Sequence, residues 1–410
     1  MAVTLSDIED ARGRIKDIIN QTPIIADARL SDEIGAQAYL KAECLQRGGS
    51  FKVRGAYNKI SRLSDDEKQR GVITASAGNH AQGVAIAARL NGIKATIVLP
   101  EFAPLTKVVA TKAQGADVIL KGSSFDEAVA YSKELQSEKG FTYVHAFDDE
   151  RIIAGQGSIG CEIAETLPNV TTVVVPIGGG GIASGVAIAL RNLVPGVKVF
   201  GVQAAHCASV NRSLAAGEPL EAAAKPTIAD GIAVKRPGQI TLPILEEYIE
   251  EIIEVSEEEI GAGVFHCVQN AHIVAEGAGA SVVGALLAKK IELDESDVVC
   301  AIVAGGNIDG NLLSRVMEQE LVRQGRYIIL RLLVLDRPGS LALLLDHVAE
   351  TGANVIEVHH QRAIWLAPLG YTGIEVILEV RDAEHARSVH QHLEKTGYHV
   401  EREGQGDWEE

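Results

Sequence analysis

A lysine at the point where a glycine loop enters a helix, with apolar neighbours on both sides, is a candidate nucleophile. Ser50-Phe51-Lys52-Val53-Arg54-Gly55-Ala56 offers this arrangement, with Gly48 and Gly49 just before it. A lone lysine is ordinarily a solvated surface group. A partly desolvated one loses proton affinity, and its neutral amine can form a Schiff base with a carbonyl. Three other segments place small residues at the ends of strands. Thr74-Ala75-Ser76-Ala77-Gly78-Asn79-His80 leads into the helical stretch AQGVAIAARL. Backbone N–H groups at such a helix start suit an anion such as a carboxylate, although a plain turn capped by Asn or Ser accounts for the same residues. Gly178-Gly179-Gly180-Gly181 follows a β-branched run and precedes another helix. Consecutive glycines let the backbone wrap a phosphate closely, with help from the helix dipole; a flexible turn is the alternative. The run is not G-x-G-x-x-G and no P-loop lysine follows, so neither a dinucleotide site nor a Walker loop is expected. Ala304-Gly305-Gly306-Asn307-Ile308-Asp309 ends a further strand and says little alone.

The elements that must position these residues alternate between strand and helix from about residue 36 to residue 315. ATIVLP (95–100), ADVILK (116–121), TTVVVP (171–176), KVFGVQA (198–204) and DVVCAIV (297–303) read as buried strands, each followed by a loop and, in most cases, a helix. That alternation implies parallel βαβ units, an α/β fold whose ligands sit at the carboxyl ends of the strands. The texture changes near Arg323–Arg326. YIILRLLVL, LALLLDHVAETG, ANVIEVHHQ, GIEVILEV, AEHARSVHQHLEKTG and YHVERE then read as strand, helix, strand, strand, helix and strand. The order βαββαβ is the ferredoxin-like arrangement. The closing GQGDWEE (404–410) reads as a frayed tail. The expected division is 1–325, with a smaller subdomain of about 50–148 inserted in it, and 326–410.

Composition narrows the function classes. Lys and Arg number 38 against 55 Asp and Glu, a net charge of −17, so nucleic acid and anionic membranes are not expected partners. No apolar run reaches transmembrane length, and MAVTLSDIEDARGRI lacks an apolar signal core, so a cytoplasmic protein is expected. The five cysteines (Cys44, Cys161, Cys207, Cys267, Cys300) form no C-x-x-C pair and read as reduced structural thiols. No metal site is expected. His359-His360 reads as part of a strand surface with no third ligand nearby.

SFKVRGA, SAGNHAQGVA, the GGGG run and the GGN turn, in this order and spacing, resemble the fold-type II pyridoxal-5'-phosphate (PLP) enzymes. Within that fold the chain looks like the threonine dehydratases (threonine ammonia-lyases), over nearly its whole length. The resemblance implies two open parallel-sheet subdomains and an elimination that removes water and ammonia from a small hydroxy-amino acid. It implies that Lys52 holds the cofactor and takes the α-proton, that Gly178, Gly179, Gly180 and Gly181 hold its phosphate, and that Asn79 contacts the pyridine 3'-oxygen. Phe51 would pack close to the ring, Ala304 would face the ring nitrogen, and the loop of Ser76, Ala77, Gly78, Asn79 and His80 would receive the substrate carboxylate. PLP would supply the electron sink for the carbanion. Two positions, Ala304 and Cys44, depart from similar dehydratases, and two more, Ala77 and Gln203, differ from serine racemases. Ala304 stands where similar dehydratases carry serine; the loss of one neutral hydrogen bond, about 0.5–1.5 kcal/mol, would weaken tuning rather than abolish chemistry, and water or Cys300 on the same strand face is a possible substitute. Cys44 stands where asparagine is common. Ala77 stands where serine racemases carry a second acid–base serine, which favours elimination over racemisation. Those racemases also tend to place a carboxylate where this chain has Gln203, which argues against that Mg2+ site.

The last 85 or so residues resemble a regulatory ACT domain, with DRPGSL followed by GANV. By that resemblance Pro338, Gly339, Leu341 and Asn354 would line an amino-acid effector site between two copies, isoleucine or valine being reasonable effectors. Simple assembly through ordinary turns is the alternative. Either way a homo-oligomer, dimer or tetramer, is implied. Two other functions keep the same fold: a lyase for another β-hydroxy amino acid, such as 3-hydroxyaspartate or phenylserine, and an amino-acid sensor with a degenerate PLP site.

Overall fold

The structure is a computed structural model that describes residues 3–103, 105–223, 225–361 and 367–402. The chain divides into two compact units, Met1–Asp309 and Gly310–Glu410.

The first unit holds two sheets. The larger has the order β1-β2-β10-β7-β8-β9, built from β1 (Ile24–Ala26), β2 (Gln37–Ala42), β7 (Thr172–Pro176), β8 (Lys198–Ala204), β9 (Glu251–Val255) and β10 (Val298–Val303). Only the β1–β2 pairing is antiparallel. The smaller sheet, order β5-β4-β3-β6, is parallel throughout and comes from the chain between β2 and β7: β3 (Val72–Ala75), β4 (Ala95–Leu99), β5 (Asp117–Leu120) and β6 (Thr142–Tyr143). Residues of β4, β7 and β10 are buried throughout. Parallel strands covered on both faces need apolar side chains on both, which is why these strands read as unbroken β-branched runs.

Each sheet has its own core. Val173, Val175, Ile177, Ile182 and Val186 centre the larger one, together with Phe51 and Ala304. Val84, Ile97, Leu99, Ala56 and Ile60 belong to the smaller. The helix Lys52–Ile60 therefore starts at one core and ends in the other, and Lys52 lies at the joint. Glycines bring the helices Glu150–Thr166 and Gly181–Leu193 unusually close: a Cβ added at Gly157 would lie 2.9 Å from Gly185 O, and one at Gly160 would lie 2.8 Å from the Ala189 Cβ. Behind Lys52 lies a buried ionic group that the sequence reading did not find. The guanidinium of Arg54 donates to Glu43 (2.8 Å, twice), Glu162 (2.6 and 2.9 Å) and Ser158 Oγ (3.0 Å). Lys41 Nζ donates to Glu162 (2.6 Å) and Thr22 O (2.7 Å). Two cations face two anions with every hydrogen bond short, the condition under which such a group survives burial; removing one partner of such a pair costs about 3–5 kcal/mol.

The second unit is a helix, Gly310–Arg323, followed by an antiparallel sheet of order β12-β13-β11-β14. Its strands are β11 (Tyr327–Leu335), β12 (Asn354–Gln361), β13 (Tyr371–Glu379) and β14 (Val400–Arg402), with helices Ser340–Glu350 and Ala383–Lys395 between them. This is βαββαβ with the strand order of a ferredoxin-like sheet. The unit begins at Gly310, whereas the sequence texture changes only near Arg323–Arg326: the helix Gly310–Arg323 keeps the strand-to-helix rhythm of the first unit yet belongs to the second. The tail 404–410 lies outside the described residues.

Candidate active site

The segment before Lys52 runs along the end of β10. Gly306 N–H donates to Gly49 O (2.9 Å), Phe51 N–H donates to Ala304 O (3.2 Å), and Ser50 bridges Gly305. Gly48 and Gly49 make this possible with φ of 76° and 72°, the left-handed region that other residues enter at a cost. Lys52 then opens its helix, and Nζ lies 4.9 Å from the Phe51 ring centroid and donates to Ala146 O (3.2 Å). Burial lowers its pKa to about 8, and the charge of Glu276 opposes that fall. A neutral amine is thus accessible near neutral pH, as a nucleophile or base requires.

The helix Asn79–Leu90 packs directly on that lysine; a Cβ added at Gly83 would lie 3.0 Å from Lys52 Cβ. At its start, Gly78 N–H donates to Ser76 Oγ (3.2 Å), which turns the loop, and a Cβ at Gly78 would meet nothing within 4 Å. Ala77 leans on the smaller core. The side of the loop at Gly78 is open, as a substrate pocket must be. The His80 imidazole is buried, and with burial and the Lys52 charge lowering its pKa to about 3, it is neutral and Nε2–H donates to Val144 O (2.9 Å). That hydrogen bond ties the side chain to the chain after β6, so any contact of His80 with substrate falls to its backbone. Asn79 reaches across to the larger subdomain. Its Nδ2 donates to Glu276 Oε1 (2.5 Å), and its Oδ1 accepts from Asn307 Nδ2 (2.7 Å). Glu276 is a site residue that the sequence reading missed. It precedes the helix Gly277–Leu287, is 6% exposed, and has a carboxyl raised to about 7 by burial and by Asp230, against Asn79, Lys107 and Lys52. The available signal was an acid inside the otherwise apolar stretch VAEGAGASVV.

The glycine run spans the turn from β7 into the helix Gly181–Leu193, with Gly180 at φ 97°. No side chain fits along it. Added Cβ atoms would lie 3.0 Å from Val234 Cγ2 at Gly178, 2.8 Å from Thr241 Cβ at Gly180 and 2.9 Å from Phe147 Cα at Gly181; at Gly179 one would strike the Phe147 ring. Thr241 Oγ1 donates to Gly179 O (2.6 Å), and Asp148 accepts from the backbone N–H of Gln239 (3.0 Å) and Ile240 (2.8 Å), fixing both walls behind the loop. Ser184, in the first turn of this helix, keeps a fully buried hydroxyl without a hydrogen-bond partner among the described residues. The residue before Phe147 is Ala146, whose carbonyl holds Lys52, so the loop 145–148 joins the lysine to the glycine cradle.

Ala304 is buried at the end of β10 and its side chain offers no hydrogen bond. Cys300 does not replace one. It lies four residues back, about 13 Å along the strand, fully buried in the larger core with its thiol pushed up to about 12 by burial. Cys44 packs beside Gly306, whose added Cβ would lie 3.1 Å from Cys44 Cβ. Gln203 is buried and structural: Oε1 accepts from Val210 N–H (3.0 Å) and Nε2 donates to Ile177 O (3.4 Å). Among the described residues no His, Cys, Asp and Glu group could hold a metal, and no helix is long and apolar enough to cross a membrane.

In the second unit, Pro338 and Gly339 (φ 91°) form the turn before the helix Ser340–Glu350, and Leu341 packs on its core. Asn354 starts β12 and donates to Glu379 (3.4 Å). The register aligns Asn354 with Glu379 and Tyr327, whereas the Pro338 turn follows Leu335. Those ends of the sheet are roughly 27 Å apart at about 3.4 Å per residue, so one chain does not bring the four residues together. His359 pairs with Glu357 (2.9 Å) on the exposed strand face.

An amine for an aldehyde, a side-chain-free cradle opening a helix for a phosphate, and an oriented carboxamide fit a pyridoxal phosphate; Ala304 adds no side-chain donor. The chain belongs to the pyridoxal-phosphate dependent enzyme family, which matches residues 15–305. It is 46% identical over 398 residues to an L-threonine ammonia-lyase of Thermotoga maritima, covering 97% of this chain and 99% of that one. The first unit's fold has solved counterparts. The processed form of threonine deaminase isoform 2 from Solanum lycopersicum (TM-score 0.73, 38% identity) covers 77% of this chain and 86% of its own. Maize serine racemase (TM-score 0.74, 32% identity) covers 79% of this chain and 100% of its own.

Proposed function

We propose that this PLP-dependent protein removes water and ammonia from L-threonine, and from L-serine likewise, giving 2-oxobutanoate or pyruvate. The observation that carries this reading is the Lys52 amine, held at the joint of the two cores with its pKa lowered to about 8. The near full-length likeness to an L-threonine ammonia-lyase supports the substrate. Bound PLP supplies an electron sink for charge developing at the α-carbon. The protein does the rest. Lys52 Nζ holds the cofactor and, when free, accepts the α-proton. The Gly178–Gly181 backbone and the start of its helix bind the phosphate. Asn79 donates to the ring oxygen beside Phe51, and the Ser76–Asn79 loop receives the substrate carboxylate through its N–H groups. Racemisation would need a proton donor on the opposite face, and Ala77 has none to offer.

The second unit is the regulatory part of this reading, an ACT domain that binds a small amino acid between two copies. The separation of Asn354 from the Pro338 turn supports this, since a ligand touching both needs a second chain. The protein is then at least a dimer. Five free, buried cysteines suit a reducing cytoplasm. The test is keto-acid release by the PLP-loaded protein from L-threonine, L-serine and threo-3-hydroxyaspartate, with and without isoleucine or valine. Fastest release from L-threonine supports the reading; turnover of hydroxyaspartate alone, or of none, overturns it.

A further inference from the structure

Asn79 sits in a chain of three side chains that ends on a backbone carbonyl. Asn307 Nδ2 donates both to Gly48 O (2.8 Å) and to Asn79 Oδ1 (2.7 Å). Gly48 O can only accept, so the Asn307 carboxamide has one orientation: turned over, it would set its own oxygen against two acceptors. That orientation dictates the next. Asn79 must turn Oδ1 toward Asn307, which turns Nδ2 toward Glu276 Oε1 at 2.5 Å. An asparagine Nδ2 carries two hydrogens, and Glu276 uses one. Glycines wall the chain at both ends. A Cβ at Gly49 would lie 3.0 Å from Asn307 Nδ2; one at Gly305 would lie 3.0 Å from the Glu276 carboxyl carbon and 3.1 Å from Asn79 Nδ2.

We propose that Glu276 and Asn307 are positioning residues that lock the Asn79 carboxamide so that its second Nδ2 hydrogen faces the oxygen on the cofactor ring. The proposal rests on the PLP reading of the site and deepens it. A free asparagine would present oxygen or nitrogen with similar ease, and an oxygen turned to an anionic ring oxygen repels it. The lock removes that alternative before the cofactor arrives. Glu276 also brings a charge. It lies in the field of Asp230, Lys107 and Lys52 and acts in turn on the Cys44 thiol, and its raised carboxyl changes ionisation near neutrality. Its anion favours a proton on the lysine side of the pocket.

The experiment uses the full chain, stripped of cofactor and titrated with PLP, followed by the bound cofactor's visible absorbance across pH. Glu276→Ala and Asn307→Ala should each weaken PLP binding about ten-fold or more, the loss expected for a hydrogen bond to a charged group. Glu276→Gln still accepts from Asn79, so it should bind within about two-fold of the parent by the same reasoning, while its absorbance titrates at lower pH because the anion is gone. Parental affinity in both alanine variants, or a Glu276→Gln variant that loses PLP affinity about ten-fold or more although it still accepts from Asn79, overturns the proposal. Glu276→Gln keeps the test decisive should an alanine variant misfold. A parent that binds no PLP sinks the whole reading of the site; a parent that binds while the variants match it sinks only the lock.

Discussion

Two strand-to-helix turns in the first unit look alike in sequence and differ in construction. The turn at Ser76–Asn79, after β3, and the turn at Gly178–Gly181, after β7, both end parallel strands and open helices. Around Gly178–Gly181 the protein fills every position where a side chain would go. Around Gly78 a Cβ would meet nothing. One turn is shaped by protein packed behind it; the other leaves its space to something that comes and goes. A permanent cofactor phosphate suits the first and a transient substrate the second.

Substitutions at the two turns should therefore fail differently. Gly179→Ala must move the Phe147 ring, and overpacking of this kind costs about 1–3 kcal/mol. PLP affinity, measured by absorbance titration, should fall roughly 5–150-fold; parental affinity would break the comparison. At Gly78 the φ of −134° lies outside the left-handed region, while the ψ of −144° lies past the usual extended range, so an alanine there asks for a modest backbone shift. Gly78→Ala should keep parental PLP affinity and raise KM for L-threonine, by roughly ten-fold for a methyl group intruding on the carboxylate site. A fall in PLP affinity instead would erase the distinction between the turns. The lysine between them gives a pH test. PLP capture by the stripped protein needs the neutral amine. Its second-order rate should climb about ten-fold per pH unit below a midpoint near 8, where burial has lowered the Lys52 pKa, and level off above it. A midpoint in the ordinary lysine range would mean that burial does not act on this amine. The smallest effect is expected at the third strand end. Ala304→Ser adds one neutral hydrogen bond toward the ring nitrogen, about 0.5–1.5 kcal/mol, so kcat should change by no more than about ten-fold, read in steady-state assays.

The two turns also show what a sequence discloses. Both were legible, because small residues between a β-branched run and a helical run mark a junction whatever surrounds it. Their packing was not legible. Phe147 and Thr241, which close the glycine cradle, are far from it in the chain. Glu276 contacts Asn79 across 197 positions, with a glycine-rich helix start as its only local mark. His80 was grouped with its sequence neighbours, yet its imidazole belongs to the chain after β6. The buried charges of Lys41 and Arg54 carry no local mark, because their pairing with Glu43 and Glu162 needs the assembled fold to be seen. In the second unit the pattern of strands and helices was plain from period alone, but its first helix was not. Gly310–Arg323 follows β10 as a crossover helix would, and only its packing assigns it to the other unit.

The central claim is that Lys52 holds the cofactor. The most direct test is borohydride reduction of the PLP-loaded protein, which fixes the lysine–cofactor bond, followed by proteolysis and mass mapping. The account predicts one pyridoxyl group per chain, on the peptide containing Lys52. A pyridoxyl group on another lysine, or on none, would contradict it.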